Sequence, residues 1–339
     1  MTQRTRYFLT GSVVVVVLGL SIGTVAYYNG GLLLRSSDGP SELAYMPADS
    51  TAVAFADVRA IMNSEFRQRL RQVLPTGAEK DKLQQEIGVD IERDIDSVVA
   101  GFTGDDPTKG GAVVLVRGRF NDATIESTAV QHGAVAETYK GKRLLVMSGI
   151  AAAHAGTTGE PMGEAHQRAS GSCLAFLEPG LIALGDGPAV KRAIDTRAGT
   201  ENLTKNADLM KLVNDVQGSS NAWVVGRFDA LTAHGELPSE VRDQLGAVQF
   251  FAVSAQINGG VSGMLRAEAR DDKAAEQLRD VVRGVLAAGK LMSGSDSRVD
   301  AVLNSIQLQG TGKTVSVSFA VPSEIFDILN GVAALKNIK

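Results

Sequence analysis

Val248-Gln249-Phe250-Phe251-Ala252-Val253-Ser254-Ala255-Gln256-Ile257 runs into Asn258-Gly259-Gly260, and Val261-Ser262-Gly263-Met264-Leu265-Arg266-Ala267-Glu268-Ala269-Arg270 follows. Asn-Gly accepts the positive φ that a two-residue hairpin turn demands, so these two runs pair as antiparallel strands. In the second run Val261, Gly263, Leu265, Ala267 and Ala269 face one way, while Ser262, Met264, Arg266, Glu268 and Arg270 face the other. Period-2 alternation of this kind gives a sheet with one buried and one wet face.

The same grammar extends outward in both directions. Strands are predicted at 51–57, 95–103, 112–120, 134–139, 143–148, 173–177, 181–184 and 221–228. A last hairpin pairs Ser305–Gln309 with Thr314–Val321, setting Ile306, Leu308, Val315, Val317, Phe319 and Val321 against Gln307, Gln309, Ser316 and Ser318. Lys140-Gly141-Lys142 and Glu178-Pro179-Gly180 supply two more tight turns. Period-3.6 segments mark helices at 58–74, 78–87, 121–131, 187–197, 203–216, 272–291 and from Ser323 to about 336. Asp186 is placed to cap its helix, with Pro188 in the first turn. The opening order β-α-β-β-α-β is that of a ferredoxin-like split unit. Val116-Arg117-Gly118-Arg119-Phe120-Asn121-Asp122-Ala123 echoes Val225-Gly226-Arg227-Phe228-Asp229-Ala230. Two readings of the echo stay open: a repeated α/β unit, or one strand-to-helix corner solved twice with Asp as the cap.

The chain has 339 residues, 44% of them hydrophobic and 21% charged, which excludes disordered and fibrous classes. Its 34 basic and 38 acidic groups give −4, without the basic footprint of a nucleic-acid binder. A single cysteine, Cys173, excludes an intrachain disulfide and a cysteine-cluster zinc site. The apolar content is uneven. Tyr7 to Tyr28 is uncharged and as a helix reaches about 33 Å, enough for a hydrocarbon core of about 30 Å. Tyr7, Phe8, Tyr27 and Tyr28 sit where an aromatic belt belongs, which favours an uncleaved anchor. A signal peptide cleaved after Ala26, at Thr24-Val25-Ala26, is the alternative. Arg4 and Arg6 before the span put the N-terminus in the cytoplasm by the positive-inside rule. The expected organisation is a cytoplasmic tail 1–6, an anchor 7–28, a linker 29–50, a first lobe 51–200 with a flexible insertion 149–170, and a second lobe 201–339.

No chemical motif survives inspection. Gly310-Thr311-Gly312-Lys313-Thr314 resembles a phosphate loop, but Gln307 stands where its first glycine is needed and a strand follows instead of a helix. Asp90, Glu92, Asp94 and Asp96 alternate like calcium ligands, but Ile95 takes the position of the obligatory glycine, so a capped, solvated turn is expected. His154 and His166, with Glu160 and Glu164, match no metal-ligand spacing. Cys173 reads as a small buried hydrophobe. Of Arg59, Arg67, Arg69 and Arg71 only Arg67 and Arg71 share a helix face, too few for a phosphate stripe. Catalytic, cofactor-binding and metal-binding residues are therefore assigned to none.

Several segments resemble an uncharacterised family of bacterial, N-terminally membrane-anchored envelope proteins. They are Tyr45-Met46-Pro47-Ala48-Asp49, Met62-Asn63-Ser64-Glu65-Phe66-Arg67, Ile91-Glu92-Arg93-Asp94-Ile95-Asp96-Ser97-Val98-Val99, Tyr139-Lys140-Gly141-Lys142-Arg143, Phe176-Leu177-Glu178-Pro179-Gly180, Asn221-Ala222-Trp223 and Gly226-Arg227-Phe228-Asp229. The resemblance implies a bacterial origin and an exported α/β domain, and no catalysis.

The expected fold is α+β: an N-terminal transmembrane helix, then two ferredoxin-like lobes of antiparallel sheet with helices packed on one face. The expected function is a membrane-anchored, extracytoplasmic, non-catalytic binding or scaffolding protein of the bacterial envelope. Its expected place is the inner membrane, single-pass, with the bilayer held through residues 7–28. Its partner is an unknown envelope protein or a hydrophobic ligand, with no nucleic acid and no cofactor. The alternatives are a carrier or sensor for a lipid or small hydrophobic ligand, and an exported hydrolase without a recognised motif.

Overall fold

A computed structural model describes residues 39–68, 89–104, 111–147, 172–228, 246–292 and 302–322. They form one antiparallel sheet of twelve strands. In chain order these are β1 (Ser50–Asp57), β2 (Ile95–Thr103), β3 (Ala112–Gly118), β4 (Val135–Tyr139), β5 (Lys142–Met147), β6 (Ser172–Glu178), β7 (Leu181–Asp186), β8 (Ala222–Arg227), β9 (Val248–Ile257), β10 (Gly260–Ala269), β11 (Gln307–Gln309) and β12 (Thr314–Pro322). The helices are α1 (Val58–Met62), α2 (Ile91–Asp94), α3 (Asp122–Gln131), α4 (Gly187–Ala198), α5 (Ala207–Gln217) and α6 (Asp272–Met292).

Local chemistry explains these elements. Asn or Asp side chains cap the helices: Asp57 accepts from the Ala60 N–H, Asp90 from Glu92, Asn121 from Thr124, Asp186 from Ala189, Asn206 from Leu209 and Asp271 from Ala274. The predicted cap at Asp186 is in place, with proline in the first turn. At the echo, however, Asn121 does the capping where Asp was expected. Helix 58–74 is interrupted: α1 ends at Met62, and the Ser64 hydroxyl bonds both the Ile61 carbonyl and the Arg67 N–H to start a new turn. The hairpin at Lys140-Gly141 has both residues at positive φ (47° and 78°), as its turn type requires.

The strand order is β11-β12-β10-β9-β8-β1-β2-β3-β7-β6-β5-β4. This overturns the two ferredoxin-like lobes. A split βαβ unit interposes a strand between two parallel ones, whereas β1 and β2 are immediate antiparallel neighbours (Val53 opposite Gly101). β1 also pairs with β8 (Val53 opposite Val225), so the sheet runs unbroken across residue 200. Reading outward from that central pair, the first half runs β1-β2-β3, then β7-β6, then β5-β4; the second runs β8-β9-β10-β12-β11. Without the β6–β7 hairpin the two halves have the same order, and α3 and α6 occupy the same place in the chain. The repeat therefore equates β3 with β10. The six-residue echo instead aligns β3 with β8, two strands at different places in the sheet.

Helices cover both faces, which corrects the expectation of one. On the A face α4 and α5 pack with Leu43, Tyr45, Met46, Val53, Leu115, Leu144, Ala175, Trp223 and Val225. On the B face α1 and α3 enclose Val58, Ile61, Val98, Val116, Ile125, Leu145, Ile182 and Ile257. The first half of α6 closes a smaller B-face cluster through Ala274, Ala275 and Leu278. Residues 39–50 are core instead of spacer, for Leu43 and Met46 are fully buried in the A-face cluster.

The segment 7–28, with Tyr7, Phe8, Tyr27 and Tyr28, lies outside the described residues. So do the insertion 149–170, helix 78–87 and the helix from Ser323. Among the described residues no helix is long and apolar enough to cross a membrane. The longest, α6, has charges along its whole length. The expected transmembrane helix and the single-pass inner-membrane location drawn from it have no helix among the described residues to carry them, and neither is retained.

Candidate binding groove

Strand register brings polar side chains from three strands onto one surface. β9 pairs with β10 so that Ser254 lies opposite Met264, Gln256 opposite Ser262 and Ala252 opposite Arg266. β10 pairs with β12 so that Met264 lies opposite Ser318 and Arg266 opposite Ser316. β11 adds Gln307 beside Ser318 and Gln309 beside Ser316. Ala252 belongs to the A-face core, so the whole array lies on the A face.

The end of α5 forms a wall along this floor. A cavity of about 300 Å³ opens between them, lined by Asp215, Val216 and Ser219 from the helix end and by Ser254, Gln256, Ser262, Met264, Arg266 and Ser318 from the sheet. That volume is at the small end of ligand sites, roughly 300–1,000 Å³. Ser254 is 8% exposed, and Met264 is 40% exposed at the mouth.

Charge in the groove is internally balanced. Arg266 Nη1 donates to Asp215 at 2.6 Å and Nη2 to Glu268 at 2.8 Å, and Lys211 stands 3.5 Å from Glu268. Arg266 Nε is enclosed without a partner. The uncharged groups are different: among the described residues no hydrogen bond engages the side chains of Ser219, Ser254, Gln256, Ser262 or Ser318. Nearby Asn221 shows the contrast. Its amide is fully used, donating to the Ile257 carbonyl at 2.7 Å and accepting from the Ile257 N–H at 3.0 Å.

The residues singled out from sequence have structural roles. Gly310 to Thr314 is the β11–β12 turn, with Gly310 and Gly312 at φ 102° and 57°. Its Gly312 and Thr314 carbonyls accept from Arg279, so the loop presents acceptors to a cation instead of N–H groups to a phosphate. In the alternating acidic run Asp90 caps α2 and accepts from Arg93, Glu92 pairs with Arg67, and Asp96 with Arg59. Burial pushes the Cys173 thiol up, as suits an inert core residue. His132 Nδ1 lies 2.8 Å from the Thr128 carbonyl at the end of α3, while His154, His166, Arg69 and Arg71 are outside the described residues.

Other perturbed groups are also internally engaged. Tyr45 is pushed up to about 12, first by burial and then by donating its hydroxyl to Glu178 at 2.5 Å. Tyr139 is raised by donating to Asp195 at 2.9 Å, and Lys140 holds Asp195 below the usual carboxylate range. Asp57 is raised to about 6 by burial.

The groove was half visible in the sequence. The wet sides of β10 and β12 could be read from alternation, but α5 beside them could not.

No family model and no curated protein matches the chain. Among solved structures, crystal form I of TP0453 is similar over 88% of this chain and 99% of that one, with 10% identity and a TM-score of 0.48. A likeness that slight carries no conclusion about this chain.

Proposed function

We propose that this chain is a non-catalytic binding module that engages its partner through the A-face groove between α5 and strands β9, β10 and β12. One observation supports the reading above the others: five polar side chains with unspent hydrogen-bonding capacity converge on one cavity, while polar groups such as Asn221, Ser50 and Ser64 are satisfied internally. Unspent donors and acceptors beside a cavity are what a ligand completes. The ion pair of Arg266 with Asp215 and Glu268 stiffens the floor and removes free charge from it.

The test is amide-shift mapping of the isotope-labelled full chain against small neutral, anionic, cationic and apolar probes. Shifts gathering on β9, β10, β12 and the end of α5 are expected. Shifts that gather elsewhere, or turnover of a substrate abolished by one point substitution, sink the reading.

A second reading, a carrier or sensor of a small hydrophobic ligand, has one observation in its favour. On the B face Leu265 is 37% exposed, and along α6 Val285 and Leu291 are 50% and 87% exposed. Lipid co-purifying with the chain and displaced by Leu265→Asp supports this alternative; a lipid-free preparation that takes up no fatty acid removes it.

A further inference from the structure

Resting on the groove as the binding site, we infer that its ligand is an uncharged oligosaccharide. The lining chemistry narrows the class step by step. Asp215 and Glu268 are both spent on Arg266, which leaves one enclosed N–H, Nε, and no net charge to select a charged ligand. The cavity is open and its floor is a row of hydroxyls and an amide, which an acyl chain would desolvate without compensation. An extended peptide adds to a sheet through the backbone groups of an edge strand, whereas the groove lies on a face, where β9 and β10 are flanked by strands on both sides and β11 covers β12 at Ser316–Ser318. Stacking of a nucleobase needs an exposed ring face; Phe319 borders the cavity, but its ring alternates to the B face with Gly263, against which it packs.

What remains is a ligand whose own groups both donate and accept and recur at short intervals. Serine hydroxyls and the glutamine amide do both. Here they are set out on a lattice of about 4.8 Å between strands and about 7 Å along them. Ser254, more than nine-tenths buried, has no partner of its own and faces the cavity. The exposed Met264 thioether and the Val216 side chain supply small apolar patches for the C–H face of a sugar ring. The equivalent surface of the first half is filled instead by α4, against Leu115 on β3.

The experiment titrates the full chain with maltotetraose, cellotetraose and chitotetraose, and in parallel with a heparin tetrasaccharide and laurate, reading amide shifts and calorimetric affinity. At least one neutral tetrasaccharide is expected to move groove amides, with an affinity that does not change between low and high salt. Ser254→Ala and Gln256→Ala should each weaken it about 5- to 10-fold, one hydrogen bond each, while Val130→Ala on the exposed side of α3 leaves it unchanged. Far-ultraviolet spectra of each variant check that the fold is kept. The assignment is overturned if no neutral sugar moves the groove, if neither substitution weakens binding, or if the anionic probe binds better and loses affinity with salt. When another neutral probe moves the groove and the sugars do not, the binding module stands and the saccharide falls.

Discussion

β3 and β10 hold the same place in the two halves of the sheet, yet their neighbours differ. On β3 the successive residues Leu115 and Val116 are 0% and 6% exposed; on β10 Met264 and Leu265 are 40% and 37% exposed. The first half carries an extra hairpin, β6–β7, which runs directly into α4, and β3 has helices packed on both faces. Among the described residues the second half has no counterpart of that insertion between β10 and β12. One repeat has thus become a two-sided core, and its twin keeps an open polar face. Close packing on both faces belongs to the first half, and the open polar surface to the second.

The largest effect that could break this comparison is a core truncation on each side. Leu144→Ala on β5, fully buried, should cost about 2–5 kcal/mol in denaturant unfolding, while Met264→Ala should cost less than about 0.5 kcal/mol. Equal losses would mean the second half is as tightly packed as the first. Next is Asn221→Ala at the base of β8, which strands the Ile257 N–H and carbonyl that its amide serves; about 2–3 kcal/mol should be lost. Unchanged stability would show that β8 does not need that clamp to hold the second half to the central pair.

Asp57 sits at the seam itself, its N–H on the Asn221 carbonyl at 2.7 Å and its carboxylate on α1. Its folded-state pKa of about 6 lies above the ordinary 3.8, so the folded chain takes up the proton first. Stability should therefore rise as pH falls through about 6, level off below 3.8, and be lowest above 6. Asp57→Asn keeps the cap without the buried charge, and should add about 1–3 kcal/mol at pH 7 while flattening that pH dependence. A thermal-melting series that retains the slope in the variant assigns it to another group. The smallest effect is at the far edge of the first half. Lys140 holds φ 47°, and Lys140→Asn should gain up to about 0.5 kcal/mol because asparagine tolerates that conformation, its exposed pair with Asp195 being worth little. A loss in chemical denaturation would give that ion pair more weight than its exposure suggests.

Much of this molecule could be read before its structure was known, and the failures share a cause. The hairpins at Lys140-Gly141 and Glu178-Pro179-Gly180 were legible because positive φ and a fixed proline φ are properties of single residues. The hairpin at Asn258-Gly259 also forms, but not through the expected turn: neither residue has a positive φ, and Ile257 pairs with Val261 across three residues. The B-face alternation on β10 was legible too, but it does not show that Leu265 lies beyond the reach of α6. The ferredoxin-like reading failed at β1. Its alternation is satisfied equally by any partner strand, and nothing in Ala52 to Ala56 names Ala222 to Gly226 as the segment lying alongside. The groove was illegible for the same reason. Ser254, Ser262 and Ser318 are separated by up to 64 positions in the chain and meet only through register.

By itself the sequence determined where strands, turns and helix caps lie, because these follow from side-chain period, backbone sterics and capping hydrogen bonds within a few residues of each other. Only the tertiary structure decided that twelve strands form one sheet, that its two halves repeat, and that one half keeps an uncovered polar face. Ladder hydrogen bonds are made by the backbone, which is the same in every strand, so the choice of partner belongs to the packing of the whole.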